Sequence, residues 1–593
     1  MMFDGSNAFL RYIRLGDHEL VRGVFAAVRD HNWNTVPFSI NDLQVDRAVD
    51  SFSIVFVANS LIPEIGFSWH GRIEGDCDGV VKYRFLGTAN NAFDRNRIGI
   101  CVLHSSNVCA GLTCRVEHVD GSSTQAKFPK VISPHQPFKN VRAITHQVGA
   151  GTQVKVTMNG DTFETEDQRN WTDASFKTYS TPLDIPFPVR LERGTTIEQS
   201  VSIELIEAEY VGRGLGRQNV VDQVATSIRQ VKVIEPPSVR VVIDWKQPIR
   251  RPAVGFQWPS GVHSHDPRTV TDRLKEIRPD HLRFDLRLNQ DWRTELSRAI
   301  AATQAIDTKL EIALFVDRAV GEDWEAWIQK LSQLPVEIAR VLVFHPTEKS
   351  TPSELVDSVS KAFKKINSLP PLVVGSNAYF AELNRGRPRI VPGCKVCYSI
   401  NPQVHAFDNG SLSETLEAQR ATVDSAASIF GTDVVISPLT LRPRFNPNAT
   451  STLDAEAQLE TAIDPRQTTG FGAAWTTGVF ASLLTHANVN SLTLYEAFGP
   501  RGVIGIDGRE YPMTEPIKHL LRSEKTFYGS SSSSLGLVAL GTQREDGQMH
   551  VVFGNLSEED VIVRFMTTCL HDRSVVVAAE SSQIVFMEQS VNA

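Results

Sequence analysis

The sequence predicts a multidomain β plus α/β protein. A large N-terminal antiparallel β-sandwich covers residues 1–235, a central (β/α)8 barrel of the TIM type covers 236–525, and a small C-terminal β-sandwich covers 526–593. Three observations predict this. The chain has 593 residues, and single hydrophobic cores stop growing well below that length, so it divides into about two to four domains. Its first part is strand and turn without helical spacing. Its middle alternates β-rich runs with amphipathic helices eight times.

The first domain is read from "SFSIVFVA", "GVVKYRFLG", "RIGICVLH", "LTCRVEHVDG", "TQVKVTM" and "VSIELIEAEYV", separated by Gly, Asn and Asp turns. Period-two alternation gives each strand one buried face, and many such strands without helices form layered antiparallel sheets. Pro236-Pro237 marks the boundary. Beyond it, "AVGFQW", "HLRFDL", "LEIALFV", "VLVFHP", "PLVVGSN", "KVCYSIN", "DVVISPL" and "NSLTLYE" are the barrel strands. The helix "DPRTVTDRLKEI" starts at an Asp-Pro pair and sets Val270, Leu274 and Ile277 on one face. "PSELVDSVSKAFKKI" does the same with Leu355, Val359, Phe363 and Ile366. "LSETLEAQRATVDSAASIF" does so with Leu412, Leu416, Val423 and Phe430, behind the cap-like "DNGS". This repeat over about 270 residues has the rhythm of a (β/α)8 barrel. An open doubly wound sheet is the alternative; the lack of a glycine-rich dinucleotide fingerprint weighs against it. After the solvated linker "GSSSSSLG", the runs "GLVALGTQ", "MHVVFGNLS", "DVIVRFM", "SVVVAAE" and "SQIVFME" predict the C-terminal sandwich.

Composition narrows the function classes. Hydrophobic content of 41% and charged content of 22% are those of a soluble globular protein. A net charge of −8 without a basic stretch argues against nucleic acid as a partner. No apolar run reaches the length of a membrane span, so no membrane partner is expected, and the N-terminus lacks the features of a signal peptide. Seven sparse cysteines fit a reducing compartment, which makes the expected location cytoplasmic. "CKVC" at 394–397 lacks a second ligand pair and reads as buried thiols rather than a zinc or redox site. No metal and no cofactor is expected, and a homo-oligomer is left open.

In a (β/α)8 barrel, chemistry sits at the carboxyl ends of the strands and in the loops that follow. Strand two ends in Asp285 and Arg287, strand three in Asp317, and strand four in His345 and Glu348. Strand five leads to Asn377, Glu382, Asn384 and Arg385; strand six to Asn401, Gln403, His405 and Asp408. Strand seven leads to Thr440, Arg442, Arg444 and Asn446, strand eight ends at Tyr495-Glu496, and Asp464 to Gln467 precedes the last helix. Taken singly, each is explained by a capped turn or a bridged loop. Four successive loops so rich in polar groups point to a substrate site.

Glu382 and Glu496 invite a paired-carboxylate glycosidase reading. However, the commonest barrel glycosidases carry Asn-Glu at strand four and a second Glu at strand seven, where this chain has His-Pro and Pro-Leu-Thr. "VHSHD", with His263 and His265, invites comparison with metal-dependent barrel hydrolases, but the pair lies beyond the first strand in a loop.

The strings "NRIGICVLH", "EDQRNWTDASFKTY", "AYFAELNR", "NPQVHAFD", "SPLTLRPRFNP" and "GAAWTTG" resemble the bacterial D-apionate lactonase family. The resemblance implies hydrolysis of D-apionolactone to D-apionate in apiose catabolism, with a small carbohydrate or sugar lactone as substrate. Lactone opening needs a base to activate water, donors for the carbonyl oxyanion and an acid for the leaving alkoxide. The residues offer Glu382 or Glu496 as base and His405 as acid, with Arg385, Arg442 and Arg444 as cationic donors. Asn377, Asn384, Asn401, Gln403, Asp408, Asn446 and Tyr495 complete the expected substrate contacts. The alternative is a TIM-barrel glycoside hydrolase that uses Glu382 and Glu496 as its carboxylate pair.

The stretch "EDQRNWTDASFKTY", residues 166–179, allows two readings. Asp167, Arg169, Asp173 and Lys177 form a polar network that pins a long loop, or the loop supplies part of a substrate pocket. A second cluster of His104, His135, Asp173 and Lys177 within the first domain is a further candidate.

Overall fold

Strand Val81–Ala89 alternates buried and exposed residues along most of its length, as a half-buried antiparallel strand must. Its neighbours Phe67–Gly75 and Phe52–Ser60 do the same, and the buried rings Phe56, Phe67, Trp69 and Phe85 meet with centroids 5.0–6.2 Å apart. The structure is a computed structural model that describes residues 2–4, 8–149, 151–208, 236–259, 267–288, 292–317, 324–365, 370–445, 447, 462–532, 536–566 and 572–587. The chain divides into two compact units: Met1–Gln168 with Ala174–Glu235, and Arg169–Asp173 with Pro236–Ala593.

Among the described residues the first unit is one continuous antiparallel sheet of sixteen strands around a single core, where a strict sandwich has two separate sheets. Strands of thirteen residues, such as His18–Asp30 and Phe93–Ser105, run the breadth of the unit. The register shifts at Arg29/Asp30 and Gln153/Val154 bend the sheet, because a bulge adds twist where it interrupts the ladder.

In the second unit, eight parallel strands close a barrel: Ala253–Gln257, His281–Arg287, Lys309–Phe315, Ile338–Phe344, Leu372–Gly375, Lys395–Ile400, Val434–Leu439 and Val489–Phe498. The first pairs with both the second and the eighth, which closes the ring, and Gly502–Ile504 adds a ninth strand beside the eighth. The strand Ser238–Ile243 precedes the barrel in sequence but pairs with Val561–Met566 and Lys525–Ser531. It thereby joins an eight-stranded C-terminal sheet whose core includes Val241, Phe527, Phe553 and Phe565.

Two sides of the barrel interior differ. Ala313, Phe315, Leu342, Phe344, Val373, Cys397 and Val435 form an apolar cluster. The other side is polar. Glu311, fully buried, accepts from Arg340 Nη1 at 2.5 Å, from Ser437 Oγ at 2.5 Å and from Thr493 Oγ1 at 2.9 Å. His281 Nε2 lies 2.8 Å from Thr493 Oγ1. Burial alone would raise the Glu311 carboxyl, but His281, Arg340, Arg283 and the Ser437 hydroxyl outweigh it and hold it at about 2. Burial in turn holds His281 at about 4, so Arg340 carries the compensating charge at neutral pH.

Gly375 closes the fifth strand with φ +150, and a Cβ there would lie 2.0 Å from the Cys397 carbonyl oxygen. Only glycine fits this close approach.

Replacing Glu311 by Ala strands the buried Arg340 cation. It is expected to lower unfolding stability at pH 7 by about 3–5 kcal/mol in a urea titration. Because the folded carboxyl is depressed, its contribution is present above the unfolded value of 4.5 and falls away as pH drops toward about 2. The gap between parent and Glu311→Gln is therefore expected to narrow as pH falls below 4.5.

Candidate active site at the carboxyl end of the barrel

Alternate residues of His281–Arg287 face inward, which puts Arg283 above the polar floor and Asp285 and Arg287 near the rim. Arg283 is fully buried, and its guanidinium spends three directions on named partners. Nε donates to Asp285 Oδ1 at 2.8 Å, Nη1 to Ser437 Oγ at 3.0 Å and Nη2 to Asn377 Oδ1 at 2.7 Å. Asn377 is also held from the seventh strand's loop, where Arg444 Nη2 donates to its Oδ1 at 3.0 Å and to its carbonyl at 2.7 Å. The same nitrogen reaches Ser399 Oγ at 3.0 Å. Arg444 Nε is buried and has no hydrogen-bond partner among the described residues. Burial first, then repulsion from Arg283, Arg287 and Arg501, lowers Arg444 to about 9, while Asp285 opposes the shift.

The eighth strand supplies the opposing carboxylate through a bulge. Its register with the first strand runs Phe256↔Leu494 and then Gln257↔Glu496, which leaves Tyr495 unpaired at φ 33. Glu496 is thereby placed at the rim, where Arg501 Nη2 meets its Oε1 at 2.7 Å. Burial raises the Glu496 carboxyl, Arg501 and Arg444 act against that, and the like charge of Asp285 adds to it. Asp285 itself is held low, because Arg283, Arg444 and Arg287 outweigh its burial. Two carboxyl groups are thus driven apart in acidity, the arrangement that separates acid–base roles at one site. Gln257, paired with Glu496 across the ladder, leaves its Oε1 buried and without a hydrogen bond.

Glu382 lies in the first turn of helix Phe380–Gly386. The residue is 4% exposed, and its Oε1 has no hydrogen-bond partner among the described residues, a costly state for a buried acceptor.

A second cluster forms around His405. Its Nδ1 lies 2.6 Å from Asp173 Oδ2, and Trp171 packs edge-on against its ring at 5.3 Å. Arg385 sits 5.1 Å over the Trp171 ring, and Asn384 Nδ2 donates to Asn170 Oδ1 at 3.1 Å. The pentapeptide Arg169–Asp173 belongs to this unit, so the polar stretch 166–179 serves two purposes. Arg169–Asp173 meets His405, Asn384 and Arg385, while Lys177 pairs with Glu166 at 2.6 Å and Asp167 accepts from the Ser133 amide in the first unit. The cluster expected from His104, His135, Asp173 and Lys177 is not formed: His104 instead lies 3.4 Å from His146 in a fully buried pair.

Five expected substrate contacts have other work. Asp408 caps helix Asn409–Phe430, accepting from the Ser411 amide and hydroxyl, both at 2.8 Å. Tyr495 is fully buried, and its hydroxyl meets Thr476 Oγ1 at 2.9 Å, because the bulge turns it away from the rim. Gln403 donates to Leu441 O and Asp464 Oδ2 and accepts from Arg466, which fixes both ends of its amide. Asn401 Nδ2 bonds Thr440 Oγ1 at 2.5 Å. Arg442 Nε is 3.2 Å from Asp464 Oδ2, so it braces the same loop as Gln403 and Arg466. Asn446, His263 and His265 lie outside the described residues.

Sequence reasoning counted Asp285 and Asp464 near strand ends without choosing them, named Asp173 without joining it to His405, and missed Arg283 and Arg501. Arg501 was legible only as the turn "FGPRG" behind Glu496; Asp173 stands 232 residues from His405, beyond any local signal. A cavity of about 1300 Å³ opens at the other, amino-terminal end of the strands, lined by Arg251, Asp280, Lys309 and Glu337 among others. These four pair with one another, Arg251 with Asp280 at 2.5 Å and Lys309 with Glu337. Cys394 and Cys397 are buried, and burial pushes Cys394 up to about 11, which leaves it a poor nucleophile. No described helix is long and apolar enough to cross a membrane.

A closed (β/α)8 barrel thus gathers opposed carboxyl groups and guanidiniums at the carboxyl ends of its strands. Sequence models of the D-apionate lactonase family match residues 1–208, as its N-terminal domain, and residues 261–526, as its TIM barrel domain. The D-apionate lactonase of Brucella anthropi is 29% identical over 527 residues, covering 86% of this chain and 83% of the relative. The chain belongs to the D-apionate lactonase family. Among solved structures, a glycoside hydrolase family 51 arabinofuranosidase from Xanthomonas axonopodis pv. citri is 12% identical with a TM-score of 0.39, covering 59% of this chain and 97% of that one. A beta-arabinopyranosidase is 9% identical with a TM-score of 0.35, covering 96% of this chain and 95% of that one. Likenesses this slight carry no argument about chemistry.

The rim electrostatics make a directional prediction. Asp285→Asn removes a like charge and is expected to lower the Glu496 pKa, whereas Arg501→Gln removes a cation and is expected to raise it. Titration of carbon-13-labelled glutamate by NMR reads both signs, and equal values in the two variants contradict the assignment.

Proposed function

We propose that this protein is a lactonase that opens a sugar-acid lactone of the D-apionolactone type by base-activated water. The observation that carries the reading is the presence, at one rim, of the raised Glu496 carboxyl and of Arg444, whose buried Nε–H has no partner among the described residues. A carboxylate with a raised pKa is a stronger base. A cationic N–H held in place beforehand suits the oxyanion that develops on the carbonyl.

In this reading Glu496, or Glu382 in its place, takes a proton from water as the water oxygen bonds to the lactone carbonyl carbon. The carbonyl π electrons move to oxygen, where Arg444 receives the charge. Collapse of that intermediate breaks the ring C–O bond, and the alkoxide takes a proton from the acid, for which His405 oriented by Asp173 is the candidate. Asn377, fixed by Arg283 and Arg444, is placed to orient a ring hydroxyl. Arg283, Arg287, Arg444 and Arg501 against Asp285 and Glu496 leave an excess of positive charge, which favours a substrate that becomes a carboxylate over a neutral glycoside.

The second reading, a glycoside hydrolase using Glu382 and Glu496, draws on the unpartnered Glu382 Oε1. It calls for a carboxyl separation of about 5–5.5 Å for retention or about 6.5–9.5 Å for inversion. Incubation with aldonolactones and with aryl glycosides, following acid release and phenol release, separates the two.

Glu496→Gln and Glu382→Gln, made singly, test the lactonase reading. The variant lacking the base is expected to lose about 10²–10⁴-fold in kcat with little change in KM. Parental rates from both variants sink the barrel-rim site. In the parent, the acidic limb of the kcat/KM profile is expected above the ordinary carboxylate range, since the raised Glu496 must lose its proton to act.

A further inference from the structure

Above the buried Arg283, the second barrel strand carries two more charged side chains. Residues two apart on a strand face the same way, so Asp285 and Arg287 line the barrel interior with it. Their register partners on the third strand are Ala313 and Phe315, both in the apolar cluster of the interior. A methyl group is therefore all that the third strand sets beside Asp285 at this level. The Arg287 guanidinium lies over the Phe315 ring, 3.7 Å from its centroid, and Phe344 backs that ring at 5.5 Å. A guanidinium stacked in this way is held by one face and keeps its N–H edge for other partners.

That edge is unused. Among the described residues Arg287 makes no hydrogen bond and no ion pair, and none of its three nitrogens is sealed from solvent. Asp285 is used on one side only, where Oδ1 accepts from Arg283 Nε at 2.8 Å. Its Oδ2 accepts from no described residue and is likewise not sealed, the side chain being 16% exposed. Both groups face the mouth that holds Arg444 and Glu496: Arg287 repels the Arg444 cation, and Asp285 raises the Glu496 carboxyl. One strand thus presents an open acceptor beside an open set of donors. A carboxylate ligand would be repelled by Asp285, and an ammonium ligand by Arg287. Two adjacent hydroxyls suit both groups, because a hydroxyl can donate one hydrogen bond and accept others.

We propose that Asp285 Oδ2 and the Arg287 guanidinium, stacked on Phe315, form a subsite for a vicinal diol on the sugar ring. One hydroxyl donates to Asp285 Oδ2, and its neighbour accepts from the edge of Arg287. Arg287 is thereby a specificity-determining residue, fixed in place by its stack before the substrate arrives. The assignment takes from the proposed function only that the rim holds a sugar ring.

Ligand-observed NMR titration of the full chain with anhydroerythritol, a cyclic ether with a vicinal diol and no carbonyl, tests the subsite apart from turnover. The same ring with a single hydroxyl, hydroxytetrahydrofuran, is the control. The parent is expected to bind the diol about tenfold more tightly, the worth of one charge-assisted hydrogen bond. Arg287→Gln and Asp285→Asn are each expected to bring the diol down to the level of the control. If Arg287→Gln fails to fold by circular dichroism, Arg287→Lys, which loses the planar fork, and Asp285→Asn carry the test. In turnover, Arg287→Gln is expected to raise KM about tenfold for erythronolactone, which bears the diol, with kcat little changed. Its KM for hydroxybutyrolactone, which lacks the second hydroxyl, is expected to stay at the parental value. Equal binding of the two ethers by the parent, or diol binding unaltered in the variants, overturns the proposal. A parent that selects the diol ether but hydrolyses neither lactone sinks the lactonase reading and supports the subsite.

Discussion

The Arg283 guanidinium, fully buried inside the barrel, is the contact on which the rim depends. A cation there is tolerable only if its donors are met, and they are met by three different strands: Asp285 on the second, Asn377 after the fifth and Ser437 on the seventh. Ser437 in turn donates to Glu311, whose charge is balanced by Arg340. Floor and rim are therefore one hydrogen-bonded system. The positions of Asp285 and Asn377 follow from the packing of groups well below them, and such networks fix geometry more than they add net stability.

The second constraint is the bulge at Tyr495. A regular strand would alternate faces without interruption, and a shift of one residue exchanges inside and outside. The extra residue restores Glu496 to the rim two places after Leu494 pairs with Phe256, and turns Tyr495 into the packing against Thr476. A non-glycine residue at positive φ is strained, and strain of this kind persists where surrounding structure fixes it. Here it separates a buried hydroxyl from a rim carboxylate on adjacent positions.

Charge is arranged unevenly along the molecule. In the barrel, arginines crowd Asp285 and Glu496 and divide their acidities. At the amino-terminal end of the barrel, by contrast, Arg251 pairs with Asp280 and Lys309 with Glu337.

The sequence by itself determined the element types and the strand–helix order of the barrel. Apolar runs such as Leu310–Val316, separated by amphipathic helices, leave few other ways to bury both faces of a parallel sheet. It also marked Glu496, Glu382, Arg444 and His405 as chemistry-bearing groups at strand ends. Only the tertiary structure decided which groups each of these meets. Asp408 looked like a substrate contact because cap residues and sugar-binding residues are the same types. Tyr495 did so because a bulge has no signature in a β-rich run. Ser238–Ile243 joined the C-terminal sheet, and Asp173 met His405, through pairings between segments hundreds of residues apart. Local propensity is silent about such contacts, because their energy arises only when the chain has brought both partners into one core.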